Sequence, residues 1–520
     1  MLDKLTTTTA GAPALNAVLV VLLLGPLLMA AVAAVIGRRR PRLAGRLGAG
    51  TAALGFLGAA ALTVAAAVGH PASVAIGSSP AVTADRLAAM LLLLVFGVSA
   101  IVQTYAIRYL AEDRRAGWFS AGAGLLTSSS AILMAADNLV VLALGWTAAG
   151  VALCLLLATY WRLPAARDGV RRTAVSFLIG DLALWSAVGL IAARQGTVEL
   201  RALDGAALGG PVIVLAAALV VVAALSRSAQ IPFHRWLPAT LAAPTPVSAL
   251  LHAGVVNAGG VLLIKLGPVI TSSGPVRALI ILAGLATLAY GAAIMLAKPD
   301  VKGALAHSTM AQMGFMILTC GLGLWAAAVF HLVAHGFYKA TLFLSSGSAI
   351  AYRRRKRTLP PAAAGTRSLI PALLLPALAI GTALAVVPLG PGDHTAEWAL
   401  LLFAWVTGAA ATNGWLARRP GAGGVLTAAA FLLPVGLAYV WLISTVSGFL
   451  APDLPAAALP GTTTWLITGA ALAVLGGLAA ALRAPGAGGL QRTLYARALS
   501  AGHIAPPALS LPNQLTGARS

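Results

Sequence analysis

The sequence predicts an all-α, polytopic membrane protein, and three observations carry that prediction. Hydrophobic residues make up 59% of the chain, charged residues only 9%, and the mean hydropathy is +0.92, far from the balance of soluble domains. Apolar runs of about 20 residues, the length that crosses roughly 30 Å of hydrocarbon, recur from Ala14 almost to Arg483. The basic residues collect between alternate runs, as the positive-inside rule expects of a bundle of spanning helices.

Fifteen candidate spans follow in order, at about 14 to 36, 47 to 68, 85 to 108, 116 to 136, 139 to 160, 173 to 193, 209 to 229, 244 to 268, 276 to 297, 303 to 321, 325 to 350, 368 to 388, 397 to 417, 424 to 445 and 463 to 482. With the N-terminus outside, the loops expected in the cytoplasm hold Arg38 to Arg40, Arg42 and Arg46, then Arg114 and Arg115, then Arg162, Arg167, Arg171 and Arg172, then Lys298, RRRKR at 353–357, and Arg418 and Arg419. The loops HPASVAIGSSPAVTAD (70–85) and LGPGDHTAE (389–397) carry no Lys or Arg. The first apolar run is too long for a signal peptide and ends on RRRPR, a stop-transfer pattern, so it is expected to stay. The sequence therefore reads as one transmembrane domain over 1–483, with core motifs at 85–350, and a basic cytoplasmic tail over 484–520.

The formal charge of +22 needs no nucleic acid, because basic loops held against anionic membrane lipids account for it. Cys154 and Cys320 both fall in apolar runs, without CxxC or iron–sulfur spacing. No GxGxxG and no P-loop is present, and the histidines lack ligands at zinc spacing. The expectation is an ion-translocating subunit without a cofactor, a metal or a redox site of its own, and so no enzyme.

Smooth helix is interrupted in SRSAQIPFHRWLPATLAAPTPVSALLHAGVVNAGG (226–260), where Pro232, Pro238, Pro244 and Pro246 exclude a continuous helix. The seventh span must break or end here, and irregular backbone at membrane depth survives only when buried in protein or lining a wet cavity. Ionisable groups inside spans are few, and each is costly unless paired or hydrated. They are Asp181, Arg227, His252, Lys302, His307, His331, His335 and Lys339. His252 and His307 also suit plain hydrogen bonding to a neighbouring helix, Lys302 and Arg227 suit snorkelling, and Asp181 suits pairing with Arg227 or Arg172. His331, His335 and Lys339 differ, because their i, i+4, i+8 spacing places them on one helical face, rising about 12 Å. Imidazole takes a proton on one nitrogen and releases one from the other, a desolvated lysine also cycles, and Ser308, Thr309, Gln312 and Asn257 are placed to hold bridging water. The stripe reads as a proton wire.

SAQIPFHRWLPATLAAPTPVSALLHAG, VKGALAHSTMAQMGFM and HLVAHGFYKATLFLSSGS together resemble the antiporter-like membrane subunits that include NADH-quinone oxidoreductase subunit L, the large subunit of Mrp-type Na⁺/H⁺ antiporters and, nearest in pattern, the DabB-type subunits of inorganic carbon transporters. The resemblance covers roughly residues 85–350. It implies about fourteen spans, inverted five-helix repeats, a broken seventh helix, and cation flux that drives a DabA-like, zinc-containing partner resembling a β-carbonic anhydrase. Respiratory and Mrp-type members carry GWEGVG and a lysine before SAQ. This chain has GWTAAG with Thr147, and RSAQ with Arg227, and Leu178 replaces the basic residue that precedes the acidic one at Asp181. Arginine is effectively never deprotonated in proteins, so Arg227 is expected to be a fixed charge. Beyond residue 360 neither the second broken-helix lysine signature nor a long lateral helix is found. The expectation is an inner-membrane, H⁺-conducting (less favourably Na⁺-conducting) subunit coupled to inorganic carbon uptake. The alternatives are a pumping subunit of a respiratory complex or multisubunit antiporter, or an assembly scaffold that has lost transport.

Overall fold

A computed structural model describes residues 11–76, 79–348, 369–389, 394–455, 461–483 and 488–502. The RRRKR loop and the tail from 503 lie outside the described residues.

Each of the fifteen expected spans falls on helix. The first seven helices are α1 (Gly11–Ile36), α2 (Pro41–Ala67), α3 (Arg86–Tyr109), α4 (Ala116–Ala135), α5 (Leu139–Leu157), α6 (Pro164–Gln195) and α7 (Pro211–Arg227). The eighth span is divided into α8 (Thr245–Ala253) and α9 (Ala258–Lys265), with a short α10 (Gly267–Thr271) after it. Then come α11 (Gly274–Ala297), α12 (Val301–Gly321), α13 (Trp325–Leu344), α14 (Leu369–Val386), α15 (Thr395–Leu416), α16 (Ala422–Leu450) and α17 (Gly461–Arg483). Among the described residues, twelve stretches are long and apolar enough to cross a membrane, and α7 is a shorter apolar helix. The protein is a multi-pass membrane protein.

Helix starts follow local chemistry. Asp85, Asn138 and Ser273 accept backbone N–H groups of the first turns of α3, α5 and α11, satisfying donors that a helix end leaves orphaned. One departure from all-helix is a hairpin of β1 (Ala72–Ile76) and β2 (Ser79–Ala84), paired antiparallel. It lies in the loop at 70–85, whose VAI and VTA alternation on either side of GSSP is a strand signal that the span count passed over. The hairpin lies at the same end of the bundle as residues 136–138, 196–210 and 451–455, and is called here the hairpin end. The arginine-rich connections at 37–40, 110–115 and 158–163 form the opposite end.

Packing rests on close backbone approach, because lipid tails give helices no hydrophobic reason to associate. A Cβ on Gly284 of α11 would stand 2.8 Å from Gly314 O, and one on Gly314 of α12 would stand 2.5 Å from Leu288 N. One buried core runs through α1–α13, and a smaller one joins α12 and α13 to α14–α16 through Leu324, Ala383, Leu400 and Val440. The stretch read as tail begins with a helix, α18 (Gly488–Ala501), held to α11 by Tyr290 Oη donating to Ala501 O at 3.2 Å.

The interruption expected in the seventh span takes the form of an end. Helix α7 stops at Arg227, and the four prolines shape the connection to α8. Pro232 precedes a 3-10 segment that contains Pro238, Pro244 is the N-cap of α8, and Pro246 sits in its first turn, where a missing N–H costs nothing. A second interruption was not anticipated. At Gly254 the backbone leaves helical geometry, and Val255–Asn257 form a 3-10 turn before α9 resumes.

Candidate functional site

The break in the eighth span frees carbonyls, and side chains from three directions take them up. His335 Nε2 lies 3.1 Å from His252 O, Asn257 Nδ2 donates to Ala253 O at 2.8 Å, and Ser228 Oγ donates to Val256 O at 2.7 Å. The backbone irregularity is thereby buried in protein, the condition under which membranes tolerate it.

Helix α13 brings its stripe against this break. His331 and His335 have ring centroids 5.6 Å apart, Lys339 Nζ donates to Ser308 Oγ at 2.8 Å, and the His252 ring stacks on Phe343 at 4.2 Å. Lys339 is fully buried and His335 is 3% exposed. On its other side the His335 ring places Nδ1 2.8 Å from Gln312 Oε1. Both groups facing the ring are oxygens, and oxygens of this kind only accept. A ring that donates on both sides is an imidazolium. Turning the Gln312 amide over presents an N–H to Nδ1 and suits the neutral ring, and the two amide orientations have nearly the same shape. One proton and one amide rotation separate the two states.

The structure thus places His252, His331, His335 and Lys339 in one cluster with Ser308 and Gln312. Lys302 and His307 stand nearer the arginine-rich end. Lys302 Nζ donates to Ala243 O at 3.3 Å, and His307 Nδ1 lies 2.8 Å from Gly303 O on its own helix.

Asp181 and Arg227 form a separate site. Arg227 is fully buried, with Nη2 2.9 Å from Asp181 Oδ1 and Nη1 donating to Trp146 O at 3.1 Å. The guanidinium lies between the rings of Trp146 and Phe177, at 4.3 and 4.1 Å, and Trp146 Nε1 donates to Asp181 at 2.8 Å. A Cβ on Gly150 would stand 3.0 Å from Arg227 Nη2, so a glycine makes room for the cation here. Thr147 receives a hydrogen bond from Trp185 at 3.2 Å. This is a caged ion pair, held by contacts that a moving proton would have to break.

At the hairpin end lies a charged cluster that the sequence reading did not single out. Arg201 bridges Asp137 at 2.9 Å and Asp85 at 3.7 Å, Thr83 Oγ1 donates to Asp137 at 2.8 Å, and Lys265 Nζ donates to Ala136 O at 2.9 Å. Burial lifts the Asp85 carboxyl above its usual range, against the pull of Lys265. Lys265 was legible as a lysine inside the run 244–268. The other residues fall in or beside loops, where charge attracts no notice.

The fold and these buried polar clusters define a class, a multi-pass helical bundle with titratable groups aligned beside a helix break. The transmembrane family described as NADH:quinone oxidoreductase/Mrp antiporter matches residues 136–417, and the complex I chain 5 N-terminal family matches 75–120. The chain belongs to the NADH:quinone oxidoreductase/Mrp antiporter family. It is 38% identical over 347 residues to the probable inorganic carbon transporter subunit DabB1 of Halothiobacillus neapolitanus, covering 62% of each chain. It is 36% identical over 271 residues to NADH-quinone oxidoreductase subunit L of Mycobacterium tuberculosis, covering 51% of this chain and 43% of that one. The matches therefore span less than two thirds of these relatives' own length. The structure of the Mrp complex from Dietzia sp. DQ12-45-1b shares the fold, with a TM-score of 0.60 and 24% identity over 94% of this chain and 59% of that one.

Proposed function

We propose that the chain is the H⁺-conducting membrane subunit of a complex that takes up inorganic carbon with a zinc-containing, DabA-like partner. It would lie in a bacterial inner membrane with its N-terminus and the hairpin end outside and its arginine-rich end and C-terminus in the cytoplasm. The observation that carries the conduction is His335, set between the Gln312 amide and the His252 carbonyl, with Lys339 one helical turn along and His331 one turn behind. Imidazole and amine groups at these spacings relay protons through short rearrangements. Na⁺ is coordinated by oxygens such as unwound carbonyls. At this break those oxygens already accept from His335, Asn257 and Ser228, and Asp181 is held by Arg227. Similarity to DabB1 supports coupling to carbon uptake. The similarity to subunit L supports a second reading, a pumping subunit of a respiratory complex or antiporter. The caged Arg227 and Thr147, standing where those relatives carry a titrating lysine and its glutamate, weigh against it.

The test is growth at ambient CO₂ of a host without carbonic anhydrase, expressing this chain with and without a DabA-like partner and with and without a protonophore. Rescue that needs both chains and is lost with the protonophore supports the proposal. No rescue, with both proteins together in the membrane, turns the reading to the respiratory or antiporter class.

A further inference from the structure

Between the histidine cluster and the hairpin end lies a cavity of about 40 Å³ lined by Ser99, Thr127, Ser130, Met134, Asn257 and Leu332, among others. That is room for about three waters, at the ~10–15 Å³ that one requires. Asn257 is 1% exposed, and its Oδ1 has no hydrogen-bond partner in the protein. A buried acceptor left so costs about 1–3 kcal/mol unless water reaches it. Across the cavity Gln103 Nε2 donates to Ser99 Oγ at 2.8 Å, Ser99 Oγ lies 2.7 Å from Thr127 Oγ1, and Thr127 Oγ1 donates to Ala123 O at 2.7 Å. The hydroxyls of α3 and α4 therefore face the amide of the broken span. Ala253 and Gly254, next in sequence to His252, also line the cavity.

Helix α4 carries the lining onward. Met134 bounds the small cavity, and two residues later Ala136 lines a second one of about 640 Å³ together with Asp85, Asp137, Arg201, Lys265 and Asp453. Helix α9 runs the same way, from Asn257 at the break to Lys265 at this vestibule.

We propose that Asn257, Ser99 and Thr127 hold a file of ordered water that connects the histidine cluster to the Lys265 vestibule, so that the path opens to the hairpin end through α3, α4, α8 and α9. Asn257 is the positioning residue of this branch, offering its free oxygen to the first water past His252. The water file uses no residue beyond Leu344 before it reaches the vestibule, and so does not call on a second lysine signature after residue 360. It rests on the proposed relay at His335, and the experiment separates the two.

The full-length chain, with Cys154 and Cys320 replaced and its co-purifying partners retained, is placed in sealed vesicles. Single cysteines Ser130→Cys and Lys265→Cys are exposed to Ag⁺ from one side, and the blocked thiol is counted with a maleimide after unfolding, a readout that does not depend on flux. Protection of both from the hairpin side only is expected. Lys265→Cys protected with Ser130→Cys unreached, or Ser130→Cys reached only from the arginine-rich end, would overturn the route. In parallel, proton flux per folded protein falls roughly tenfold in Asn257→Leu, the scale of one hydrogen bond lost in a barrier, and Asn257→Ser, which keeps an oxygen and adds room for water, recovers most of it. Wild-type flux in Asn257→Leu with flux lost in His335→Ala rejects the branch and keeps the relay. Wild-type flux in His335→Ala rejects the relay, and the Ag⁺ protection then decides whether a water route exists.

Discussion

Lys339 and Arg227 are both fully buried cations in the same bundle, and their surroundings assign them opposite behaviour. Lys339 makes one neutral hydrogen bond, to Ser308, and stands in the line of groups proposed to relay protons. Arg227 is held by a carboxylate, a carbonyl and two aromatic faces. Lys339→Ala and His335→Ala are therefore expected to abolish proton uptake by vesicles, followed with a pH-sensitive dye and normalised to folded protein, since each also removes a buried side chain and its hydrogen bonds. Asp181→Ala leaves a buried charge unpaired and should cost about 3–5 kcal/mol, seen as a large drop in thermal midpoint in detergent. Arg227→Lys keeps the charge but loses the planar stack between Trp146 and Phe177, and should be destabilised by about 1–2 kcal/mol. The identities of these residues were legible in the sequence because charges inside apolar runs stand out. That Asp181 meets Arg227 and not Arg172 depends on how α6 lies against α7. Residue spacing within one helix does not contain that information.

At the scale of the element, glycine and the helix ends decide. Helices α11 and α12 pack through Gly284 and Gly314 at distances that admit no side chain. Gly314→Leu should push α12 away from α11 and displace Ser308 and Gln312 from α13, lowering both the yield of folded protein and flux. Asp85 caps α3 by accepting from Ala88 N at 2.8 Å, and burial, the largest influence, raises its pKa. A carboxyl whose folded value is raised contributes stability in full below its unfolded value of about 3.9, and that contribution is lost as pH rises through the folded value. The thermal midpoint should therefore fall as pH rises from about 4 upward, and Asp85→Asn, which keeps the acceptor for the cap, should flatten part of that slope. The prolines of 228–246 announced an irregular connection, and it is there. The break at Gly254–Asn257 was hidden, because GVVN between apolar runs carries no proline and reads as continuous span.

For the whole molecule, composition and the alternation of basic loops settled the class, because a chain so apolar has no other solvent in which to fold. The same signals placed every expected span on helix but did not fix how many helices cross the membrane, and the motifs at 226–260, 301–316 and 331–348 pointed to the family. The whole assembly supplies its own prediction: ambient-CO₂ growth of a carbonic-anhydrase-deficient host should follow the Lys339 and His335 variants in step with their flux. The sequence by itself determined the helices, the stripe on α13 and the presence of Asp181 and Arg227 inside apolar runs, because each rests on a local period or a residue's intrinsic chemistry. Only the tertiary structure decided that the stripe meets the carbonyls of a broken eighth span, that Asp181 is taken by Arg227, and that Asp85, Asp137, Arg201 and Lys265 share one vestibule. Those residues stand up to 180 positions apart, and nothing short of packing brings them to the lining of one cavity.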